Sequence, residues 1–150
     1  MGRPTATKTM LEARASLLSG LRSFFEARQS MEVDVPAIAK APASDPWLDS
    51  FTVNDPAGLH VGYLLTSPET YLKRLLSEYQ CPIHAIGKAY RANEEGAEHA
   101  IEFTMLEWYR PTSIRPFQSM VSEIQDLIET LTECGRPEVI AYRDIFEATY

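Results

Sequence analysis

The sequence of 150 residues has only two cysteines, Cys81 and Cys134, and their wide separation fits neither a disulfide framework nor a metal motif. We therefore expect reduced thiols and a cytoplasmic location. No apolar run approaches the roughly 20 residues that a membrane helix needs. No apolar leader opens the chain, so neither a membrane protein nor a secreted one is expected. Glycine-rich phosphate loops of the two common types are also absent.

Basic residues are in the minority, with 14 Lys and Arg against 21 Asp and Glu, which gives a formal net charge of −7. Proteins that bind nucleic acid through its phosphates usually carry a basic face. The balance therefore disfavours broad nucleic-acid binding, although it leaves a local site open. Apolar residues make up 45% of the chain, which is enough for a packed core and excludes a disordered chain.

Hydrophobic periodicity predicts an α+β chain, with a mostly antiparallel sheet flanked by helices. After a disordered tail over residues 1–8, Thr9 and Glu12 fit a capping box that opens the first helix. The one domain is expected over residues 9–150, with a new core-facing pattern from about Val139. The predicted helices run over residues 9–28, 67–79 and 116–132. The predicted strands run over residues 31–36, 50–53, 60–65, 83–90 and 101–109, with residues 37–49 as a loop.

The stretch from Tyr90 to Arg110 carries the most chemical information, and it predicts a strand, a polar loop and a second strand. Arg91 opens the loop, His99 lies within it, and Phe103 follows it. A guanidinium can donate two parallel hydrogen bonds to phosphate oxygens, and an aromatic face suits a purine. On periodicity alone, the same residues also fit an ordinary hairpin with a solvated loop and a core phenylalanine.

Two further positions suit a cationic ligand. Glu107 and Tyr109 alternate with Trp108, so both side chains are expected on one face of the second strand. A carboxylate neutralises a cation, and a phenol adds a hydrogen bond; alternatively, Glu107 is an ordinary surface residue. Glu69 follows the helix-start signal Ser67-Pro68, and its simpler role is to favour the helix N-terminus electrostatically. Lys73 and Arg74 are assigned to a solvated helix face.

Four strings in the sequence resemble the class II lysyl-tRNA synthetase family. Arg-x-x-Glu followed by HAIEFTMLEWYR resembles the second signature motif, and FFEARQSMEVDVP resembles the first. SDPWLDSF is similar to the segment after the first motif, and TSPETYLKRLL to the amino-acid-binding turn. The resemblance extends from about Leu11 to Tyr150. It is nearest to the stand-alone branch that attaches lysine to elongation factor P.

The resemblance implies a class II synthetase-like core that activates lysine or β-lysine with ATP and Mg²⁺. The residues implied for ATP are Arg91, Glu94, His99 and Phe103, with Arg91 as the catalytic residue at the α-phosphate. The residues implied for the amino acid are Ser67, Pro68, Glu69, Glu107 and Tyr109. Pro36 is implied in a homodimer interface.

The sequence departs from the family pattern in places. Ala97 stands where a basic residue is usual, and Ala100-Ile101 where Asn-Pro is usual. The third signature motif and the Mg²⁺ ligands are expected beyond residue 150, with no metal site within the chain, so we expect the chain alone to be inactive.

No anticodon-binding barrel fits ahead of the first helix, which favours elongation factor P over tRNA as the acceptor. Three alternatives stay open: a piece of a lysyl-tRNA synthetase, an inactive dimerising or ligand-binding remnant, or a gene fragment with no role.

Overall fold

In the computed structural model, which describes residues 5–94, 96, 99–113 and 116–149, helices and strands alternate along the chain. The helices are α1 (Lys8–Glu26), α2 (Glu69–Tyr79), α3 (Phe117–Leu131) and α4 (Tyr142–Thr149). The strands are β1 (Met31–Glu32), β2 (Ile38–Ala39), β3 (Thr52–Asn54), β4 (His60–Leu64), β5 (Ile83–Tyr90) and β6 (Glu102–Tyr109). The chain divides into two compact units, of which Phe25–Pro111 is one and Met1–Phe24 with Thr112–Tyr150 is the other.

The unit Phe25–Pro111 contains two three-stranded sheets, with strand orders β1-β5-β6 and β2-β4-β3. Strands β5 and β6 pair antiparallel over all eight residues, from Ile83 opposite Tyr109 to Tyr90 opposite Glu102. Both pairs in the other sheet are also antiparallel, whereas β1 pairs with β5 in parallel. The predicted α+β class with mostly antiparallel pairing is therefore confirmed.

Two details of the predicted strands were wrong. Only Met31 and Glu32 of the predicted strand 31–36 form β1, and the N–H of Val33 adds one further bond to the carbonyl of His84 at 2.8 Å. The predicted loop 37–49 contains β2, which pairs with the end of β4. Gly62 permits this close pairing, because a Cβ there would lie 2.4 Å from the carbonyl oxygen of Ala39.

Backbone hydrogen bonds join the two sheets where β4 and β5 end. The N–H of Tyr90 donates to the carbonyl of Leu65 at 2.8 Å, and the N–H of Leu65 donates to the carbonyl of Ala37 at 3.0 Å. The N–H of Ala92 donates to the carbonyl of Asp49 at 2.9 Å. Backbone N–H and C=O groups have little freedom to move away from the chain. These bonds therefore hold the residues after β4 beside the loop that follows β5.

The core of this unit forms between α2 and the sheet that contains β5. Leu72, Ile83 and Ala85 are buried there, and a buried leucine or isoleucine contributes about 1.5–3 kcal/mol by leaving water. His84, for which the sequence predicts no function, is buried and stacks on Phe25 at 4.6 Å between ring centroids. Its Nδ1 lies 3.1 Å from the hydroxyl of Ser30, so the imidazole is part of the core.

The other unit corrects two predictions about the ends of the chain. The N–H of Met10 donates to the Thr7 hydroxyl at 3.2 Å, so Thr7 rather than Thr9 caps α1, and the helix begins at Lys8. Residues 1–4 of the predicted tail lie outside the described residues. The apolar pattern from Val139 does not face a core, because Val139, Ile145 and Phe146 are exposed. Within the described ranges, no helix is long and apolar enough to cross a membrane.

Candidate functional site

The turn between β4 and α2 meets the end of β6, and their polar side chains converge there. The Ser67 hydroxyl donates to Glu107 Oε2 at 2.8 Å, and the Tyr109 hydroxyl donates to Glu107 Oε1 at 2.6 Å. Each oxygen of the Glu107 carboxylate thus accepts one hydroxyl, and this fixes the carboxylate in the half-buried site. The arrangement places a negative charge, held in one orientation, beside the N-terminal end of α2.

Local helix geometry explains why Ser67 reaches this position. Its hydroxyl also accepts the N–H of Glu69 at 3.0 Å, and the Pro68 carbonyl accepts the N–H groups of Tyr71 and Leu72, both at 3.0 Å. Serine does satisfy a free N–H of the first turn, but the N-cap residue of α2 is Pro68 and not Ser67. Pro68 is buried, and α2 begins at Glu69, two residues after the predicted start.

Glu69 contributes a second carboxylate close to this cluster. It forms an ion pair with Lys73 one turn along α2, and its charge also acts on Tyr109. Lys73 therefore has a partner on the surface of α2, where the sequence predicts a solvated residue. The cluster of Ser67, Glu69, Glu107 and Tyr109 is called the carboxylate cluster below.

The carboxylate cluster raises the pKa of Tyr109 above its ordinary value of 10.0, through burial first, then the hydrogen bond to Glu107 and the nearby charges of Glu107 and Glu69. Since the folded pKa exceeds the unfolded one, this stabilisation is complete below about pH 10 and is lost as the pH rises toward the folded value. We expect the phenolate absorbance of the native chain minus that of Tyr109→Phe to show no ionisation near pH 10. A difference signal with its midpoint at the ordinary value would contradict the burial of this phenol.

A second cluster forms where β5 ends and β6 begins. It contains the residues for which the family resemblance implies ATP binding. The Arg91 Cζ atom lies 5.2 Å from the ring centroid of Phe103. Arg91 Nη1 lies 3.7 Å from Glu94 Oε1, and His99 Nε2 lies 3.8 Å from Glu94 Oε2. The contact between Arg91 and Glu94 is long, so it restrains the guanidinium weakly and leaves it able to exchange partners. His99 is largely exposed.

Strand geometry sets the relation between the two clusters. Phe103, Glu107 and Tyr109 lie at even spacing on β6, so their side chains share one face. At about 3.4 Å per residue, Phe103 and Glu107 lie roughly 14 Å apart along the strand. One face of a single strand therefore presents an aromatic ring at one end and a carboxylate at the other. This geometry suits an extended ligand with a planar ring and a distant cation.

Some of the predicted site residues are not gathered in either cluster. Pro36 is exposed and lies just ahead of β2. Ala100 and Ile101 lie exposed in the loop, where the Ile101 carbonyl accepts the N–H of Arg91 at 3.0 Å. Ala97, the other departure from the family pattern, lies outside the described residues.

The structure adds residues that sequence reasoning missed. The Thr66 carbonyl lies 3.5 Å from Arg91 Nε, and the Asp49 carboxylate accepts the side-chain N–H of Asn93 at 2.8 Å. Asp49 belongs to the string SDPWLDSF, whose resemblance to the family was the available signal. Arg74 is exposed, as predicted for a solvated helix face, and it also lines a cavity beside the carboxylate cluster.

Metal ligands require several convergent acidic, histidine or cysteine side chains. The part of the chain that the structure describes brings together no group of three or more such residues that could hold an ion.

Comparisons with known proteins agree with the motifs. A family model described as "tRNA synthetases class II (D, K and N)" matches residues 1–140. The chain is 38% identical over 148 residues to elongation factor P–(R)-β-lysine ligase of Photobacterium profundum, and 35% identical over 150 residues to that of Erwinia tasmaniensis. These alignments cover 96% and 97% of the chain but 45% of each relative. The chain thus spans just under half the length of the curated relatives it matches.

Proposed function

Because the chain belongs to the class II tRNA synthetase family (D, K and N), we propose that it supplies the ATP and amino-acid sites of a lysine-activating ligase. The proposed substrates are ATP and lysine or β-lysine, and the proposed acceptor is a lysine of elongation factor P. The observation that carries the proposal is the placement of Phe103 and Glu107 on one face of β6. The names of the relatives, which are elongation factor P–(R)-β-lysine ligases, support the choice of acceptor.

The proposed reaction begins with adenylation. A carboxylate oxygen of the amino acid attacks the α-phosphorus of ATP, the bond from that phosphorus to the bridging oxygen breaks, and pyrophosphate leaves. Arg91 would contact the α-phosphate and stabilise the charge that accumulates there, which is a large contribution in such sites. To do so it exchanges its long contact with Glu94 for the phosphate oxygens. Phe103 would stack on adenine, His99 would approach the outer phosphates, and Glu94 would contact adenine or the amino acid.

The carboxylate cluster would orient the amino acid for this attack. Glu107 would neutralise the distal ammonium, with Tyr109 beside it, while Glu69 would hold the amino group nearer the reacting carboxylate. Holding the reactants in one geometry removes much of the entropy cost of the reaction. Mg²⁺ would travel with ATP, since this ion is usually held in large part by the substrate phosphates; it would neutralise charge on those phosphates.

The proposed second step transfers the aminoacyl group. The amine of the acceptor lysine attacks the carbonyl carbon of the adenylate, AMP leaves, and an amide forms. A tRNA acceptor is the alternative, which would make the chain part of a lysyl-tRNA synthetase. The net charge of −7 favours the protein acceptor. The cytoplasm is the proposed compartment, because Cys81 and Cys134 are both free thiols.

ATP–pyrophosphate exchange by the purified chain, with α-lysine and β-lysine compared, tests this proposal directly. Binding of a stable lysyl-adenylate analogue is measured in parallel, because it reports the two clusters together even where turnover is slow. We expect the analogue to bind, β-lysine to bind more tightly than α-lysine, and exchange to stay near background, since the third signature motif is expected outside these 150 residues. A chain that is folded by circular dichroism but binds neither ATP nor the analogue would refute the proposal and favour a non-catalytic dimerising module.

We also propose that the chain forms a homodimer through the segment around Pro36. Met31 and Ile38 are exposed on β1 and β2, and both strands lie at the edge of a sheet. Exposed apolar side chains on edge strands favour pairing with another chain. This surface also supports the alternative of a dimerising remnant without catalysis.

Ile38→Asp is expected to convert the dimer to a monomer, because it places a charge in an apolar contact. Analytical ultracentrifugation over a range of concentrations measures the change. Val139→Asp is the matched control, since Val139 is also exposed but lies in the other unit. If the native chain is a monomer throughout, or if Ile38→Asp still dimerises equally well, this interface is wrong.

A further inference from the structure

A cavity of about 410 Å³ lies beside the carboxylate cluster, within the unit Phe25–Pro111. This volume falls in the range of small-molecule sites. Segment 39–43 forms one wall, residues 64–67 form the floor, and the first two turns of α2 form the other wall. The lining residues are Ala39, Lys40, Ala41, Pro42, Ala43, Leu64, Leu65, Thr66, Ser67, Thr70, Tyr71 and Arg74. Glu107 and Tyr109 are not among them.

Hydrogen bonds of the backbone groups fix the walls of this cavity. Ala39 pairs with Tyr63 in the β2–β4 ladder, and the N–H of Ala43 donates to the Ser50 hydroxyl at 3.1 Å. On the floor, Leu65 is held by hydrogen bonds to Ala37 and Tyr90. A ligand would therefore enter a preformed space and would not have to order the walls, which lowers the cost of binding.

Charge in the cavity has one sign. Lys40 and Arg74 line it, whereas none of the lining residues is acidic, in a chain where acids outnumber bases by 21 to 14. Among the described residues, no Asp or Glu oxygen lies within 4.0 Å of either cation as an ion-pair partner. By contrast, Lys73 and Lys88 nearby are both paired, with Glu69 and Glu102. Both charges in the cavity are thus available to a ligand.

Hydroxyl groups complete the polar lining. Thr66, Thr70 and Tyr71 line the cavity, and a hydroxyl can donate to an oxyanion, whereas the Ser67 hydroxyl already donates to Glu107. Arginine adds a planar fork that matches carboxylate and phosphate oxygens. The alanine and proline side chains of segment 39–43 supply the apolar remainder, which is the usual composition of a small-ligand site.

We propose that this cavity is a binding site for a small oxyanion, held by Arg74 and Lys40 and by the hydroxyls of the α2 wall. The chemistry is common to carboxylates and phosphates. The site shares Ser67 with the carboxylate cluster but includes none of Glu69, Glu107 and Tyr109, and it does not depend on the proposed function. Ser67 lines the cavity and also donates to Glu107, so this one residue connects the cavity with the rest of the carboxylate cluster.

Titration of the chain with inorganic phosphate or with succinate, in a buffer free of both, tests the proposal by nuclear magnetic resonance. We expect at least one of the anions to shift the backbone amide signals of residues 40–43 and 70–74. Arg74→Gln should weaken that binding by about tenfold or more, since it removes charge-assisted hydrogen bonds. Lys40→Gln should weaken it by roughly threefold, because an ammonium is a point charge without the planar fork of a guanidinium. The comparison of the two anions separates phosphate from carboxylate recognition.

Lys88→Gln is the matched control, because it removes the same charge from β5 outside the cavity, and it should leave the affinity unchanged. The proposal is overturned if neither anion binds, or if the shifted signals lie elsewhere. It is also overturned if Arg74→Gln binds as tightly as the native chain. Should Arg74→Gln fail to fold by circular dichroism, Lys40→Gln and Arg74→Lys decide, and native affinity in both would refute the site. None of these outcomes involves ATP or lysine, so they are distinguishable from a failure of the proposed function.

Discussion

Replacing Glu107 with glutamine is expected to weaken the binding of lysine by about 30-fold or more. The amide keeps the shape of the side chain and can still bond to the hydroxyls of Ser67 and Tyr109, so only the negative charge is lost. Removing one member of a close charge pair costs about 2–5 kcal/mol, and each 1.4 kcal/mol corresponds to a factor of about ten. Isothermal titration with lysine and with the lysyl-adenylate analogue measures the loss.

Two controls locate this effect at the ammonium. The affinity of Glu107→Gln for AMP should match that of the native chain, because Phe103 and Arg91 lie at the other end of β6. Tyr109→Phe should lose less, since it removes one hydrogen bond and no charge, and it leaves Glu107 the hydroxyl of Ser67. Unchanged lysine affinity in Glu107→Gln would show that the carboxylate cluster does not bind the distal ammonium.

Replacing Arg91 with alanine is expected to weaken the binding of ATP to the chain, and to reduce whatever ATP–pyrophosphate exchange the chain supports by about 10²–10³-fold, the usual loss when one donor to a developing charge is removed. The affinity for lysine alone should stay the same, because Arg91 contacts Glu94, Phe103 and Thr66 and none of the carboxylate cluster. Arg91→Lys should recover only part of the rate, since an ammonium lacks the planar fork. If exchange by the chain is too slow to measure, the affinity for ATP is the readout.

Lys88→Ala is the matched control for this loss of charge. Lys88 lies on the same strand and pairs with Glu102 at 2.6 Å, outside both clusters, so exchange should stay near the native rate. A loss in Arg91→Ala that appears equally in Lys88→Ala would point to a general effect of charge or stability. A full rate in Arg91→Ala would remove the residue from its catalytic role.

Local sequence signals were sufficient to predict the elements that position the clusters. The predicted strand 83–90 is β5 itself, and the second strand of the hairpin differs by one residue at its start. Both strands are rich in apolar and aromatic residues, and the start of α2 is marked by serine and proline. In these cases the local preference and the final fold agree, so periodicity locates the elements correctly.

Elements that depend on distant partners could not be predicted. Ile38 and Ala39 lie among prolines and small residues, and they form a strand only because the end of β4 offers them a ladder. The cap of α1 was misplaced by two residues, since Thr7 and Thr9 are both good caps and the choice depends on where the helix starts.

The candidate site shows the same division. The residue types and spacing of Arg91, Phe103, Glu107 and Tyr109 pointed to a ligand, and the structure gathers them on the β5–β6 hairpin. The bond from Ser67 to Glu107 spans 40 residues, and periodicity carries no information on such pairs. The Thr66 carbonyl near Arg91 is a backbone group, so the residue type at that position could not predict the contact. Arg74 is exposed, as helix periodicity predicts, but periodicity gives no information on segment 39–43, which lies across the cavity from it.

The register of the β5–β6 hairpin has a consequence for how this chain can change in evolution or by design. One residue inserted into β6 would turn Phe103 or Glu107 to the opposite face, because side chains alternate along a strand. Insertions in the connecting loop, by contrast, leave the pairing of Ala89 with Phe103 and of Ala85 with Glu107 intact. Length variation is therefore tolerated in the loop and excluded from the strands. Variants that differ only in this loop therefore inherit the spacing between ring and carboxylate unchanged.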